Sequence, residues 1–372
     1  MIPWTWRSMF GAHKDDVRRG SEQSVRGDDI SFDGGTSDNS SRRPKLPLLA
    51  KVWVLLLALF TMTSILRWRR RGHRDENINV ALCFFGISRS LRWTFPSIES
   101  RVYDVLRKEG IDYDVFVHTY TLKEINNKRN NEKHVAYGNF TEDYRLLNPT
   151  GSLVTNQDDL DLAFPDPVRR THYHWKYYND GTASDVIRNV FRAYWSMMLA
   201  WEIMAEHAHE NDIQYDAVVL LRPDLWYHKK IEIGRRHFPL PEKLIYMPKF
   251  STDTAPKGRK NDRFSYGSVE AMRVMFHRID TLFESGVENL THKSLDSEYV
   301  LGRHLWLHDM SVRTIRFPMS RVRMDGTIPS HDHERVRDVC KAGLDPMACV
   351  IFKLGYRFPV DSTQEELFEL AN

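Results

Sequence analysis

The sequence predicts an α/β protein: a mainly parallel sheet with helices on both faces, preceded by a disordered tail and one transmembrane helix. Three observations predict it. Apolar, β-rich runs at 78–86, 113–120 and 216–221 alternate with helical patterns at 97–110 and 183–212, the order of a parallel sheet covered on both sides. A single apolar run of spanning length occupies residues 46–66. Before it, residues 1–45 are rich in Gly, Ser, Asp and Arg and poor in large apolar side chains. Such a segment buries too little surface to offset its chain entropy.

The chain of 372 residues is 41% hydrophobic and 12% aromatic, enough for a large core, and its net charge of +3 gives no ground for nucleic-acid binding. Residues 46–66 are apolar apart from Lys51 and a few small hydroxyl side chains. As a helix they extend about 31 Å, the thickness of a hydrocarbon core. Lys51 can snorkel, and Trp53 and Trp68 suit the two interfaces. Residues 67–77 then form a basic stem, 78–360 the folded domain and 361–372 a C-terminal tail. The flanking arginines slightly favour a cytosolic domain. The sequons at Asn139 and Asn289 favour a luminal one.

The run 78–86 is a buried strand that ends on Gly86. The segment 97–110 has helical spacing and stops on a glycine cap, Gly110. The segment 183–212 is a long helix with Ser184 and Asp185 as cap candidates and an apolar stripe at 187, 190, 191, 194, 198 and 201. Its Met and Trp residues read as core. Residues 122–175 are long and polar and read as insertion loops around a site.

In open α/β sheets ligands bind beyond the carboxyl ends of the strands. Here those ends carry Gly86 with Ser88 and Arg89, then His118, then Arg222-Pro223-Asp224. Pro223 stops the ladder. Asp224 can hold a divalent cation or a ribose hydroxyl, and Arg89 and Arg222 can face phosphate oxygens. The same spacing equally serves an Arg–Asp pair that merely closes a strand end. Alternation along the strand buries Arg222, which then needs a partner, and Asp224 lies two residues on.

"VALCFFGISRSLRWTFPSI", "YDVFVHTY", "YDAVVLLRPDLWY", "NDRFSYGSVEAM" and "DSEYVLGRHLWLHDMSVRTIRF…RVRMDG" follow one another across 79–326. In this order they resemble the GT-A-type glycosyltransferases related to the WavE-like lipopolysaccharide-synthesis proteins. The resemblance implies a GT-A-like sheet, a nucleotide-sugar donor, a glycan or glycoprotein acceptor, and a type II membrane protein of the Golgi or endoplasmic reticulum with its large domain luminal. It implies that Asp224 stands at the cation position, with Mn2+ or Mg2+ as the ion. Arg222 occupies the place of a first Asp, so the guanidinium can neutralise the diphosphate instead. It further implies Glu298 as the catalytic base with Asp262 as second candidate, and Gly267 as a point of close approach to a sugar. In "RVRMDG" (321–326) Arg321 or Arg323 can return to the diphosphate, and a surface strand end is the equal alternative. Glu298 is equally an ordinary first-turn acid favoured by the helix dipole. A membrane-tethered nucleotide- or sugar-binding protein without catalysis is the alternative.

The pairs His172/His174 and His331/His333 have two-residue spacing but lack a third ligand at a diagnostic distance, and read as loop residues. Cys83 reads as a buried apolar side chain. Cys340 and Cys349 enclose a short loop, and their spacing leaves a bridge open.

Overall fold

The computed structural model describes residues 77–127, 132–137, 140–164, 182–282, 297–359 and 363–371. The expected tail, membrane helix and nearly all of the stem lie outside these residues, as do Asn139, Asn289, His172 and His174. Among the described residues no helix is long and apolar enough to cross a membrane.

Two strands form the centre, β1 (Asn79–Phe85) and β6 (Ala217–Leu221), paired in parallel with Phe84 opposite Leu221. Their unbroken apolar runs are needed because both faces are covered. Val80, Leu82 and Phe84 pack on one side with α1 (Leu91–Ile98), while Ala81, Cys83 and Phe85 pack on the other with the long helix α4 (Thr182–Glu210). On α4 the predicted stripe is the buried one: Ile187, Phe191, Tyr194, Met198 and Trp201 all enter the core. The helix starts at Thr182, so Ser184 and Asp185 lie in its first turn rather than at its cap.

From β1 the sheet extends through β2 (Asp112–Thr121) to an edge strand, β5 (Gly151–Asn156), both parallel to their neighbours. The chain then returns to the other side of β1 as β6. Beyond β6 come β9 (Ser265–Gly267), which leads into helix α5 (Val269–Phe276), then β8 (Leu244–Pro248) and β10 (Ser311–Ile315), giving the order β10-β8-β9-β6-β1-β2-β5. Only β9 runs antiparallel. This mostly parallel seven-stranded sheet with flanking helices is consistent with the expected GT-A-like class. The direction of build-out reverses between β1 and β6, so their carboxyl ends flank a topological switch point.

Three local differences from the sequence reading have physical causes. The first helix begins at Leu91, six residues earlier than its spacing suggests. Pro96 lies inside it and is followed by a π-helical stretch, Glu99–Tyr103, before α2 (Asp104–Lys108) resumes and Gly110 turns the chain at φ 63°. The polar region after β2 contains a hairpin, β3 (Glu124–Asn127) with β4 (Glu132–Ala136), and the edge strand β5, followed by α3 (Gln157–Ala163). Residues 364–371, expected as tail, form helix α9 (Gln364–Ala371), which buries Leu367 and sets Phe368 edge-on against Phe95 of α1.

A smaller core lies beside the sheet, where Trp93, Trp226, Phe358 and Leu367 meet α7 (Ser330–Lys341) and α8 (Pro346–Lys353). Trp226 belongs to β7 (Leu225–Tyr227), which pairs antiparallel with β11 (Met319–Arg321). Cys340 and Cys349 are bridged, with Cα atoms 4.7 Å apart, and tie α7 to α8. Cys83 is a free thiol whose pKa burial raises.

Closing so short a loop restricts the unfolded chain by about 2–3 kcal/mol. Replacing both cysteines with serine lowers unfolding stability by that amount. Denaturant titration of the full chain, oxidised and reduced, measures it; equal midpoints for the two redox states would show that the bridge contributes nothing.

Candidate functional site

At the end of β1 the chain turns at Gly86, whose φ of 97° is the left-handed region that favours glycine. Its N–H donates to Ser196 Oγ of α4 at 2.8 Å. Ser88 follows, buried, with its hydroxyl 2.9 Å from that of Tyr137. Arg89 then reaches across the sheet end. Its Nη1 donates to Glu132 Oε2 at 2.7 Å and its Nη2 to Asp224 Oδ2 at 3.3 Å.

At the end of β6, Arg222 and Asp224 bond as a fork: Nε to Oδ1 at 2.9 Å and Nη2 to Oδ2 at 2.8 Å. Alternation predicts this pairing. Leu221 faces the α1 side, so Arg222 turns to the α4 side, where its guanidinium lies 5.9 Å from the centre of the Phe85 ring. The Asp224 carbonyl accepts from the Val322 N–H at 2.9 Å, which brings in the chain after β11 and with it Arg323. Arg323 Nη1 lies 3.9 Å from Glu132 Oε2.

Asp224 is buried. Burial alone would raise its pKa, but the charge and hydrogen bonds of Arg222, then the charges of Arg89 and Arg323, hold it well below the usual carboxylate range. Burial works against the charge on Arg222 too, and Asp224 reverses that effect and raises its pKa. Arg323 is drawn down to about 10 by burial and then by the neighbouring charge of Arg89.

A second carboxylate group lies beside the first. Asp262, just before β9, accepts from the Ser297 hydroxyl at the start of α6 (Ser297–Leu307). Burial opposes its charge, but Arg263, Arg278 and Arg222 keep its pKa below the usual value. The charge of Arg222 thus acts on Asp262 as well as on Asp224. Glu298 occupies the first turn of α6, as predicted, and is buried. Arg259 bonds its Oε2, and Arg263 Nη2 lies 3.6 Å from its Oε1. Both oxygens of this candidate base therefore face guanidinium groups.

Two expected donor contacts are not brought to the site. His118 is fully buried beneath the sheet end, with Nδ1 2.6 Å from Ser196 Oγ and Nε2 3.1 Å from Thr155 Oγ1. Burial lowers its pKa to about 3, so it is a neutral core residue. Gly267 lies within β9, where an added Cβ would come 3.0 Å from the Leu244 carbonyl and 3.3 Å from Ala271 Cβ. It serves strand and helix packing, not approach to a sugar. Sequence reasoning in turn misses Glu132, which lies in a polar stretch with no distinguishing pattern. It also misses Asp332, which sits between His331 and His333 on α7 and binds Arg321 Nε and Arg335 Nη1, each at 2.9 Å.

A divalent cation on Asp224 would need carboxylate oxygens that already accept from Arg222 and Arg89. Among the described residues no group of three His, Cys, Asp or Glu side chains could hold a metal. The donor set around Asp224 does not fit a cation; its excess of guanidinium fits an anion.

Asp224 is more than a rim carboxylate. Replacing it with Asn leaves Arg222 and Arg89 short of a counter-charge and costs about 3–5 kcal/mol. Because its folded pKa is depressed, its contribution is complete above the unfolded value of about 4 and is lost as pH falls through the lower folded value. The wild type therefore loses stability below about pH 4 more steeply than Asp224→Asn. Parallel acid titrations of the two proteins measure this; an equal or shallower loss in the wild type below pH 4 would overturn the account.

No protein-family model matches the sequence, and no curated protein does. Among solved structures, mouse xyloside xylosyltransferase 1 in its apo form matches with 13% identity and a TM-score of 0.33, over 64% of this chain and 84% of that one. A glycosyltransferase involved in glycosylation of the major capsid of PBCV-1 matches with 9% identity and a TM-score of 0.29, over 65% of this chain and 82% of that one. At these scores the likeness carries no argument about the chemistry of this chain, and a WavE-like kinship is not shown.

Proposed function

We propose that this chain is a membrane-anchored glycosyltransferase that takes a sugar from a nucleoside-diphosphate donor to a glycan or glycoprotein acceptor, with arginine in place of a metal on the diphosphate. One observation carries the proposal: Arg89, Arg222 and Arg323 converge on two buried carboxylates at the switch point between β1 and β6. Their three positive charges exceed the two negative ones of Asp224 and Glu132, which leaves the cluster complementary to a polyanion. Planar guanidinium groups match phosphate oxygens two at a time.

Of the two carboxylates expected to act on the acceptor, Asp262 is the better placed. It is half-buried, and among the described residues only its Oδ2 accepts a hydrogen bond. Glu298 is more enclosed and has both oxygens engaged. Asp262 then accepts the hydrogen of the attacking hydroxyl, and Glu298 fixes Arg259 and Arg263 around it. A second reading, a tethered donor-binding protein without turnover, is favoured by the depressed pKa of Asp262, since a carboxylate held ionised by arginine is a weak base.

The test is titration of the full-length chain in detergent with uridine, guanosine and cytidine diphosphates, with EDTA or with Mn2+, followed by a donor-hydrolysis panel. Binding of one diphosphate persists in EDTA. Arg222→Lys weakens it tenfold or more, about 1.4 kcal/mol, because an ammonium cannot reproduce the fork. Binding that appears only with Mn2+ would sink the arginine assignment, and binding without hydrolysis or transfer would favour the second reading.

The anchor is residues 46–66 and the folded domain is luminal in this proposal, supported by the length of the apolar run and by the sequons at Asn139 and Asn289. In microsomes a C-terminal tag survives protease until detergent is added. A tag digested at once would place the domain in the cytosol.

A further inference from the structure

Glu132 opens strand β4 and is the one carboxylate in the cluster supplied from outside the main sheet. It is buried, and among the described residues only Oε2 is engaged: Arg89 Nη1 donates to it at 2.7 Å and Arg323 Nη1 lies 3.9 Å away. Among the described residues Oε1 is buried with no hydrogen-bond partner, and so is Arg89 Nε. An unmet carboxylate oxygen beside an unmet guanidinium N–H is a poor fit for a pair that has given up its hydration. Asp224 differs, because its two oxygens meet two nitrogens of Arg222.

A phosphate group suits the same space better. It offers three terminal oxygens where Glu132 offers one that is used, and it can meet the N–H groups of Arg89 that one carboxylate oxygen leaves unmet. We infer that Glu132 is a resident competitor for the donor phosphate: it holds Arg89 and Arg323 together when no donor is bound, and the phosphate displaces it from between them. This rests on the donor reading above, and it assigns Glu132 a role in setting donor affinity. The inference runs against the ordinary result of altering a site residue, since removing this charge strengthens binding.

The experiment is calorimetric titration of the full-length chain and of Glu132→Gln with the nucleoside diphosphate that binds the wild type, in EDTA, with thermal melts of each protein alone and saturated. Glu132→Gln melts lower than wild type without nucleotide, because Arg89 and Arg323 lose a counter-charge. It binds the diphosphate three- to tenfold more tightly, and nucleotide raises its melting temperature by more than it raises that of wild type. A lower melting temperature with unchanged or weaker binding would make Glu132 a structural counter-ion only and overturn the inference, leaving the donor reading intact. If neither protein binds any of the three diphosphates, the donor reading itself fails. Should Glu132→Gln lose its cooperative melt, Glu132→Asp serves in its place: the shorter side chain withdraws from Arg89 and tightens nucleotide binding, and equal or weaker binding overturns the inference.

Discussion

A carboxylate that leaves water at the end of a buried strand stays ionised only if cations surround it. Asp224 is in that position, and the arrangement of the site follows from it. Its own strand supplies Arg222, two residues back and on the same side. The β1 turn supplies Arg89, and the chain after β11 supplies Arg323. Burial of such a group costs several kcal/mol unless the geometry is good. The three segments are therefore fixed relative to one another by electrostatics as much as by packing. The Asp224 carbonyl adds a main-chain bond to Val322, which ties the third segment to the first two.

This constraint also decides what kind of ligand the site suits. A cation site needs carboxylate oxygens with lone pairs to spare. Both oxygens of Asp224 accept from guanidinium groups, and the charge left over in the cluster is positive. Arg222 extends the pattern sideways to Asp262, and Arg263 extends it to Glu298, so no carboxylate in the group stands apart from an arginine. Arg278 adds a further guanidinium to the region, although burial opposes its charge and lowers its pKa. It is wholly buried, contacts the thioethers of Met275 and Met197 and the ring of Tyr194, and has Asp262 as the anion in its field. In the function proposed above, such a site holds the donor diphosphate through oriented, dehydrated donors, with no metal to order first.

How much of this was legible in the sequence depends on how each element earns its stability. β1, β6 and α4 are buried on long faces, so their apolar residues recur with the period of the element, and their positions follow from the pattern. The Arg222–Asp224 pair is legible for the same reason, since alternation puts both on one side. β5 is an edge strand with no fully buried residue and β7 has three residues, and "GSLVTN" has no run that distinguishes an edge strand from a loop. Glu132 matters only because a hairpin carries it to Arg89, 43 residues away in sequence. His118 misleads in the opposite direction. It reads as a strand end, yet β2 runs on to Thr121 and the ring is held between Ser196 of α4 and Thr155 of β5, and neither helix packing nor an unseen strand can be read from the strand itself.

The strand that continues from Asp224 shows a last dependence. β7 is three residues long and pairs only with β11, a two-stranded ribbon too small to hold its shape alone. What fixes it is the C-terminal lobe. Asp345, buried between α7 and α8, accepts from Trp226 Nε1 at 2.8 Å, and its Oδ2 lies 2.7 Å from His228 Nδ1, so one carboxylate grips β7 on either side of Tyr227. His228 Nε2 lies 2.8 Å from Ser320 Oγ of β11 and joins the two strands through their side chains. Asp345 itself lies inside the loop closed by Cys340 and Cys349. The bridge therefore shapes a loop whose carboxylate positions the strand next to the site, and the lobe belongs to the architecture that holds Asp224 and Arg323 in place rather than to a separate appendage.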